Sequence, residues 1–237
     1  MLYLEIGNTT LKLAQRTPEG TFQITRFTDL DSLRAEIPLE ASLLVAPIAE
    51  ERGEAITNAL QDHAHVSVLH RDLFFDFIGE SYDTPDTLGL DRILNLYALH
   101  RDGVVISCGT AITIDALSRG KPFWGAIMPG FRTASEGLSA HAPVLPVISV
   151  DDLGPIPART SRGALANGII WGTVIGVQGL ALTLAQGTGL PEDVPVIVTG
   201  GEAEIMTKLW LSDYDLLVES ALLFEGMERK AQSAAAI

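Results

Sequence analysis

Apolar and polar residues follow a period that changes regularly along the chain. Leu2 to Ala14 reads as two strands folded back at Gly7-Asn8-Thr9, and Phe22 to Phe27 alternates as a third. Asp29-Leu30-Asp31-Ser32-Leu33 has the form of a helix start, Ser42-Leu43-Leu44-Val45-Ala46 of a buried strand, Glu50 to His63 of a helix and Val66-Ser67-Val68-Leu69 of a short strand. From Val104 the order begins again. Two apolar strands surround Gly109-Thr110, a third lies at Trp124-Gly125-Ala126-Ile127-Met128, and a long helical stretch leads to the strand Val194-Pro195-Val196-Ile197-Val198. The pattern predicts an α/β protein of two similar halves, 1–102 and 103–237, joined near Arg101-Asp102-Gly103, each a mixed sheet covered by helices. A ligand is expected in the cleft between such halves. The tail Gln232 to Ile237, rich in small side chains, is expected to fray.

The two strand-turn segments carry the first chemical signal. In Leu4-Glu5-Ile6-Gly7-Asn8-Thr9-Thr10-Leu11-Lys12 and again in Ile106-Ser107-Cys108-Gly109-Thr110-Ala111-Ile112, an apolar run ends at a polar residue and a glycine turns the backbone. Backbone N–H groups and threonine hydroxyls in such turns can hold phosphate oxygens, and an acidic residue at the strand end can hold a metal ion. Two ordinary tight hairpins would show the same local pattern.

The densest polar cluster is Tyr82-Asp83-Thr84-Pro85-Asp86-Thr87-Leu88-Gly89-Leu90-Asp91-Arg92, followed by the apolar helix Ile93 to Leu99. Asp91 falls near the first turn, where its charge is favourable and its side chain can reach into a cleft, and Arg92 offers a planar fork for a carboxylate. A carboxylate that can accept a proton beside a cation that can hold an anionic substrate makes an alcohol-activating pair. A helix cap beside a solvated arginine is the structural alternative.

Composition removes several classes. A net charge of −14 argues against a nucleic-acid face, so any phosphate recognition is local. Cys108 is the single cysteine, which excludes an internal disulfide and a multi-cysteine zinc site and suits a reducing, cytoplasmic setting. No signal peptide is visible, and no apolar stretch is expected to reach the roughly 18 residues of a membrane span. Cys108 is expected to be a buried inert thiol, His63 and His65 surface residues, Phe74-Phe75-Asp76-Phe77 packing, and Glu202 and Glu204 a solvated helix start.

In order and spacing these segments resemble the type III pantothenate kinases of the acetate kinase, sugar kinase, Hsp70 and actin superfamily. The matching elements are Gly7-Asn8-Thr9 with Lys12, Gly89-Leu90-Asp91-Arg92, Gly109-Thr110-Ala111 with Thr113 and Asp115, Gly125 to Gly130, and Thr199-Gly200-Gly201. The resemblance implies two ribonuclease-H-like halves, a homodimer, and ATP-dependent phosphorylation of pantothenate to 4'-phosphopantothenate, the first step of coenzyme A biosynthesis. It also implies Mg²⁺ or Mn²⁺ and a monovalent cation, K⁺ or NH4⁺.

Carried over position by position, it puts ATP on Gly7, Asn8, Thr9, Lys12, Gly109, Thr110, Ala111, Thr199, Gly200 and Gly201. Asp91 becomes the general base, Arg92 the ligand of the pantothenate carboxylate, Tyr82 and Gly89 parts of the same pocket, and Thr160 a residue donated across the dimer. The metal side falls on Glu5 and Ser107, where the family has aspartates. A homologue that binds ligand or regulates without efficient turnover is the alternative those two positions raise.

Overall fold

The computed structural model describes residues 1–211 and 216–235. In chain order the elements are β1 (Leu2–Ile6), β2 (Leu11–Arg16), β3 (Phe22–Phe27), α1 (Leu30–Glu36), β4 (Ser42–Pro47), α2 (Glu50–Leu60), β5 (His65–Val68), α3 (Phe75–Ile78), α4 (Leu90–Tyr97), β6 (Gly103–Cys108), β7 (Ala111–Ser118), β8 (Lys121–Pro129), α5 (Phe131–His141), α6 (Ser161–Gly187), β9 (Val196–Thr199), α7 (Ala203–Lys208), β10 (Leu216–Val218) and α8 (Leu222–Ala235). They form two compact units, Met1–Ala98 with Ala221–Ile237, and Leu99–Ser220.

Each unit holds one five-stranded sheet, ordered β3-β2-β1-β4-β5 in the first and β10-β9-β6-β7-β8 in the second. Read from its first hairpin, the second sheet repeats the first: two antiparallel pairings, then two parallel ones. The expected pair of ribonuclease-H-like halves with mixed sheets is therefore the observed architecture. Helix crossovers between the parallel strands follow from topology, because strands that run the same way cannot be joined by a tight turn.

In the first unit, α1 starts where Asp29 accepts the Ser32 amide at 2.8 Å, as the sequence predicts. Leu4, Ile6, Leu11, Leu33, Val45 and Leu60 form the core on one face of the sheet. The C-terminal helix α8, grouped by sequence with 103–237, packs instead in this unit against α4. Leu222, Phe224 and Met227 are buried, and Gly226 lies so close to α4 that a Cβ there would meet the Leu94 carbonyl oxygen at 2.1 Å. Gln232 and Ser233 of the expected frayed tail lie within this helix, while Ala236 and Ile237 lie outside the described residues. Phe74 packs edge-on to Tyr97, as expected of a packing residue, whereas Phe75 is exposed.

In the second unit, Val104, Ile106, Ile112 and Ile114 of the sheet pack with Ile170, Val174 and Val177 of α6. The sequence expectation about apolar length fails at α6: its 27 residues contain an 18-residue window of mean hydropathy 1.6, long and apolar enough to cross a membrane by length and composition. The composition answers to packing on one side, where Ala166, Ile170, Val174, Val177, Ala181 and Ala185 are buried, but Ile175, Leu180 and Leu182 stay exposed on the other.

Candidate functional site

The first turn is closed by its own backbone, with the Gly7 amide donating to the Thr10 carbonyl at 3.0 Å. Arg52 on α2 then donates to the Gly7 carbonyl at 2.7 Å and the Asn8 carbonyl at 3.0 Å. With its carbonyls tied down by a cation, the loop has amides and threonine hydroxyls left to offer an anion. Arg52 escapes sequence reasoning because its partners are main-chain atoms far away in the chain, which no side-chain motif encodes.

The second turn repeats the device with different parts. Gly109 donates to the Ala111 carbonyl at 3.1 Å, and the Thr110 carbonyl accepts from the Gly130 amide at 3.0 Å and the Thr133 hydroxyl at 2.7 Å. Beside it, β9 ends at Thr199, register partner of Ser107 on β6. Gly200 then turns with φ +96° directly against Cys108. Asp115 is buried and accepts the Gly125 amide at 3.2 Å, so within this motif it fixes the β7–β8 bulge.

Glu5 and Lys12 face each other across the β1–β2 pair. Lys12 Nζ donates to both Glu5 carboxylate oxygens, at 2.9 and 2.8 Å. Among the described residues no group of three His, Cys, Asp or Glu side chains could hold a metal ion. With Glu5 neutralised by an ammonium and Ser107 offering only a hydroxyl, the side chains at these positions do not fit a protein-built divalent-metal site.

Asp91 and Arg92 open α4, whose N-cap is Gly89 without a side-chain cap, so Asp91 is not the cap residue. Burial pushes the Asp91 carboxyl above the usual range, opposed by a hydrogen bond from the Arg92 backbone and the charges of Arg92 and Lys12. Arg92 is 5% exposed, not a solvated side chain beside a helix cap. Gly89 leaves room for the carboxylate: a Cβ there would stand 2.5 Å from Asp91 Oδ1. Tyr82, half-buried, precedes this segment by a short stretch of the same unit.

Cys108 is fully buried and its thiol is pushed up to about 12 by burial, which makes it inert. His63 bonds the Ile37 carbonyl at 2.7 Å and His65 makes an exposed pair with Glu40. The Thr160 hydroxyl caps α6 by accepting the Gly163 amide at 3.1 Å. Glu202 departs from the solvated reading. Burial raises its carboxyl, a backbone hydrogen bond from Phe131 opposes the shift, and the buried Oε2 has no hydrogen-bond partner among the described residues. It lines a cavity of about 430 Å³ with Phe131, Arg132, Ile148 and Arg162. A second, apolar cavity of about 440 Å³, lined by Val104, Ile175, Leu182 and Trp210, contains none of the motif residues.

A sequence profile of type III pantothenate kinases matches residues 1–182. The chain belongs to the type III pantothenate kinase family. Relatives bearing that name include those of Thiobacillus denitrificans, 29% identical over 98% of this chain and 96% of its own, and Chlorobium luteolum, 29% identical over 88% and 86%. The Persephonella marina pantothenate kinase is 31% identical over a shorter stretch, 54% of this chain and 51% of its own. The chain thus spans about half the length of some pantothenate kinases it matches and nearly all of others. In fold it is similar to a conserved Campylobacter jejuni protein described as a Baf family transcriptional activator, with TM-score 0.69, 21% identity and full coverage of both chains. It is also similar to ethanolamine utilization protein EutJ of Carboxydothermus hydrogenoformans, with TM-score 0.54, 13% identity, and 95% and 88% coverage.

Proposed function

We propose that the protein phosphorylates pantothenate with ATP, giving 4'-phosphopantothenate and ADP, in the cytoplasm. Asp91 carries this reading: a carboxyl raised by burial, free of capping duty, beside a buried arginine and near a lysine. A base works best when its pKa is drawn toward the operating pH, and burial moves Asp91 that way. Asp91 takes the proton of the pantothenate primary hydroxyl as that oxygen bonds to the γ-phosphorus, and the bond to the β-phosphate oxygen breaks to release ADP. Arg92 binds the pantothenate carboxylate, with Tyr82 and Gly89 in the same pocket. Gly7, Asn8, Thr9 and Lys12, with Gly109, Thr110, Ala111, Thr199, Gly200 and Gly201, hold the nucleotide.

Kinases of this family use ATP and a divalent metal, here Mg²⁺ or Mn²⁺, and K⁺ or NH4⁺ is the proposed monovalent cation. Coupled ADP release with pantothenate, Mg²⁺ and K⁺, joined to mass detection of phosphopantothenate, tests the reading. Absence of product at every metal concentration, with pantothenate or ATP still bound in calorimetry, favours the second reading, a binding or regulatory homologue. The observation behind that alternative is the Glu5–Lys12 pair together with the uncharged Ser107.

Two expectations follow from the assignment. Arg92→Lys keeps the charge and loses the fork, so pantothenate binding weakens by about 1 to 3 kcal/mol while binding of a pantothenate amide changes far less. Equal losses for both ligands in calorimetry would remove Arg92 from the carboxylate. The second concerns assembly. Exposed Ile175, Leu180 and Leu182 on α6, and Val144, Val147 and Ile156 in the segment before it, suit a covering second copy. A homodimer with Thr160 near the partner's substrate site is expected, and a monomer in sedimentation at micromolar concentration would count against it.

A further inference from the structure

We infer that Glu5 is a positioning residue that holds Lys12, rather than a ligand of a divalent ion. The inference rests on the proposed kinase reading for its purpose but not for its test. Glu5 and Lys12 are direct register partners on antiparallel strands, so their side chains leave the same face of the sheet. Both carboxylate oxygens accept from Nζ, at 2.9 and 2.8 Å, and Glu5 is only 8% exposed. A lysine ammonium is otherwise a mobile point charge on a flexible stem. Two short contacts to one carboxylate fix it at a single place next to the first turn.

The length of the glutamate matters. An aspartate at position 5 would draw its carboxylate back by one carbon–carbon bond, about 1.5 Å, so that Nζ at its present place would lie beyond hydrogen-bond reach and the flexible Lys12 stem would have to shift to follow it. The charge of Lys12 also reaches Asp91, where it favours the ionised form. Glu5 therefore sets the position of a cation that acts on the turn and on the proposed base alike. A carboxylate whose oxygens are both occupied by an ammonium gives up little to a metal ion, and no group of three metal-ligating side chains stands near it among the described residues.

The test uses the whole chain labelled with ¹³C at the lysine Cε, the Lys12 signal being assigned by its loss in Lys12→Arg. In the wild type without nucleotide, stoichiometric Mn²⁺ is expected to leave the Lys12 signal intact. Selective bleaching of that signal would overturn the inference, since it places the ion beside Glu5. Glu5→Gln and Glu5→Asp are both expected to shift the Lys12 signal toward those of exposed lysines. Both should also lower kcat/KM for ATP tenfold or more, with the Mg²⁺ concentration for half-maximal rate within twofold of wild type. A tenfold rise in the Mg²⁺ requirement with an unmoved Lys12 signal would assign Glu5 to the metal instead. If neither variant folds, the wild-type Mn²⁺ measurement decides alone. Because the spectra need no turnover, a chain that transfers no phosphoryl group fails the kinase reading and leaves this inference standing, whereas a bleached signal fails the inference and leaves the kinase reading.

Discussion

Asp91→Asn lowers kcat by about two or more orders of magnitude while pantothenate binding stays within a few-fold, the span a positioned general base contributes. The pH dependence separates this role from a structural one. Burial raises the Asp91 carboxyl in the folded chain above its unfolded value. As pH rises past the ordinary carboxylate range near about 3.9, the unfolded chain gives up this proton first, so the folded state loses stability until the raised value is passed. Above the ordinary carboxylate range this side chain is therefore a cost, and at neutral pH the asparagine variant melts higher than wild type. The advantage vanishes below the ordinary carboxylate range. In activity, the acid limb of the kcat/KM profile has its midpoint above that range, and Asp91→Asn removes the limb. A variant that melts lower at neutral pH, and loses binding and rate together, would make Asp91 a structural residue.

Gly200→Ala destabilises the second unit by about 3 kcal/mol or more. Gly200 has φ +96°, and a Cβ there would stand 2.2 Å from the Cys108 carbonyl oxygen and 2.7 Å from its carbon. The contacts are backbone atoms of a central strand and cannot turn aside as a side chain can. Gly201, with no heavy atom within 4 Å of such a Cβ, supplies the control, and Gly201→Ala is expected to change stability by under about 1 kcal/mol. Denaturant midpoints for the two variants check the contrast; equal midpoints would mean that the close approach beside Cys108 is not rigid.

What the sequence made legible was local. Period-two runs and glycine turns gave the hairpins at Gly7 and Gly109 because strand pairing across a short turn is encoded within a dozen residues. Asp91 fell on the first turn of α4 for the same reason. What stayed hidden depended on partners distant in the chain. Arg52 braces main-chain carbonyls, Glu202 is half-buried beside Phe131 at the start of α5, and nothing in the apolar face of α8 states which sheet's helices it will meet. The Glu5–Lys12 pair lies between these cases. Its register follows from the turn, but only the geometry shows that the ammonium occupies both carboxylate oxygens.

The return of α8 to the first unit has a consequence for synthesis. The strands and α4 of that unit leave the ribosome well before their last helix, separated from it by the roughly 120 residues of the second unit, an interval on the order of ten seconds at usual elongation rates. Until then Leu94 and its neighbours on α4 lack the helix that covers them. The second unit is contiguous and can complete its core first, so the nascent chain carries an exposed apolar face during the time when a chaperone would be most useful to it.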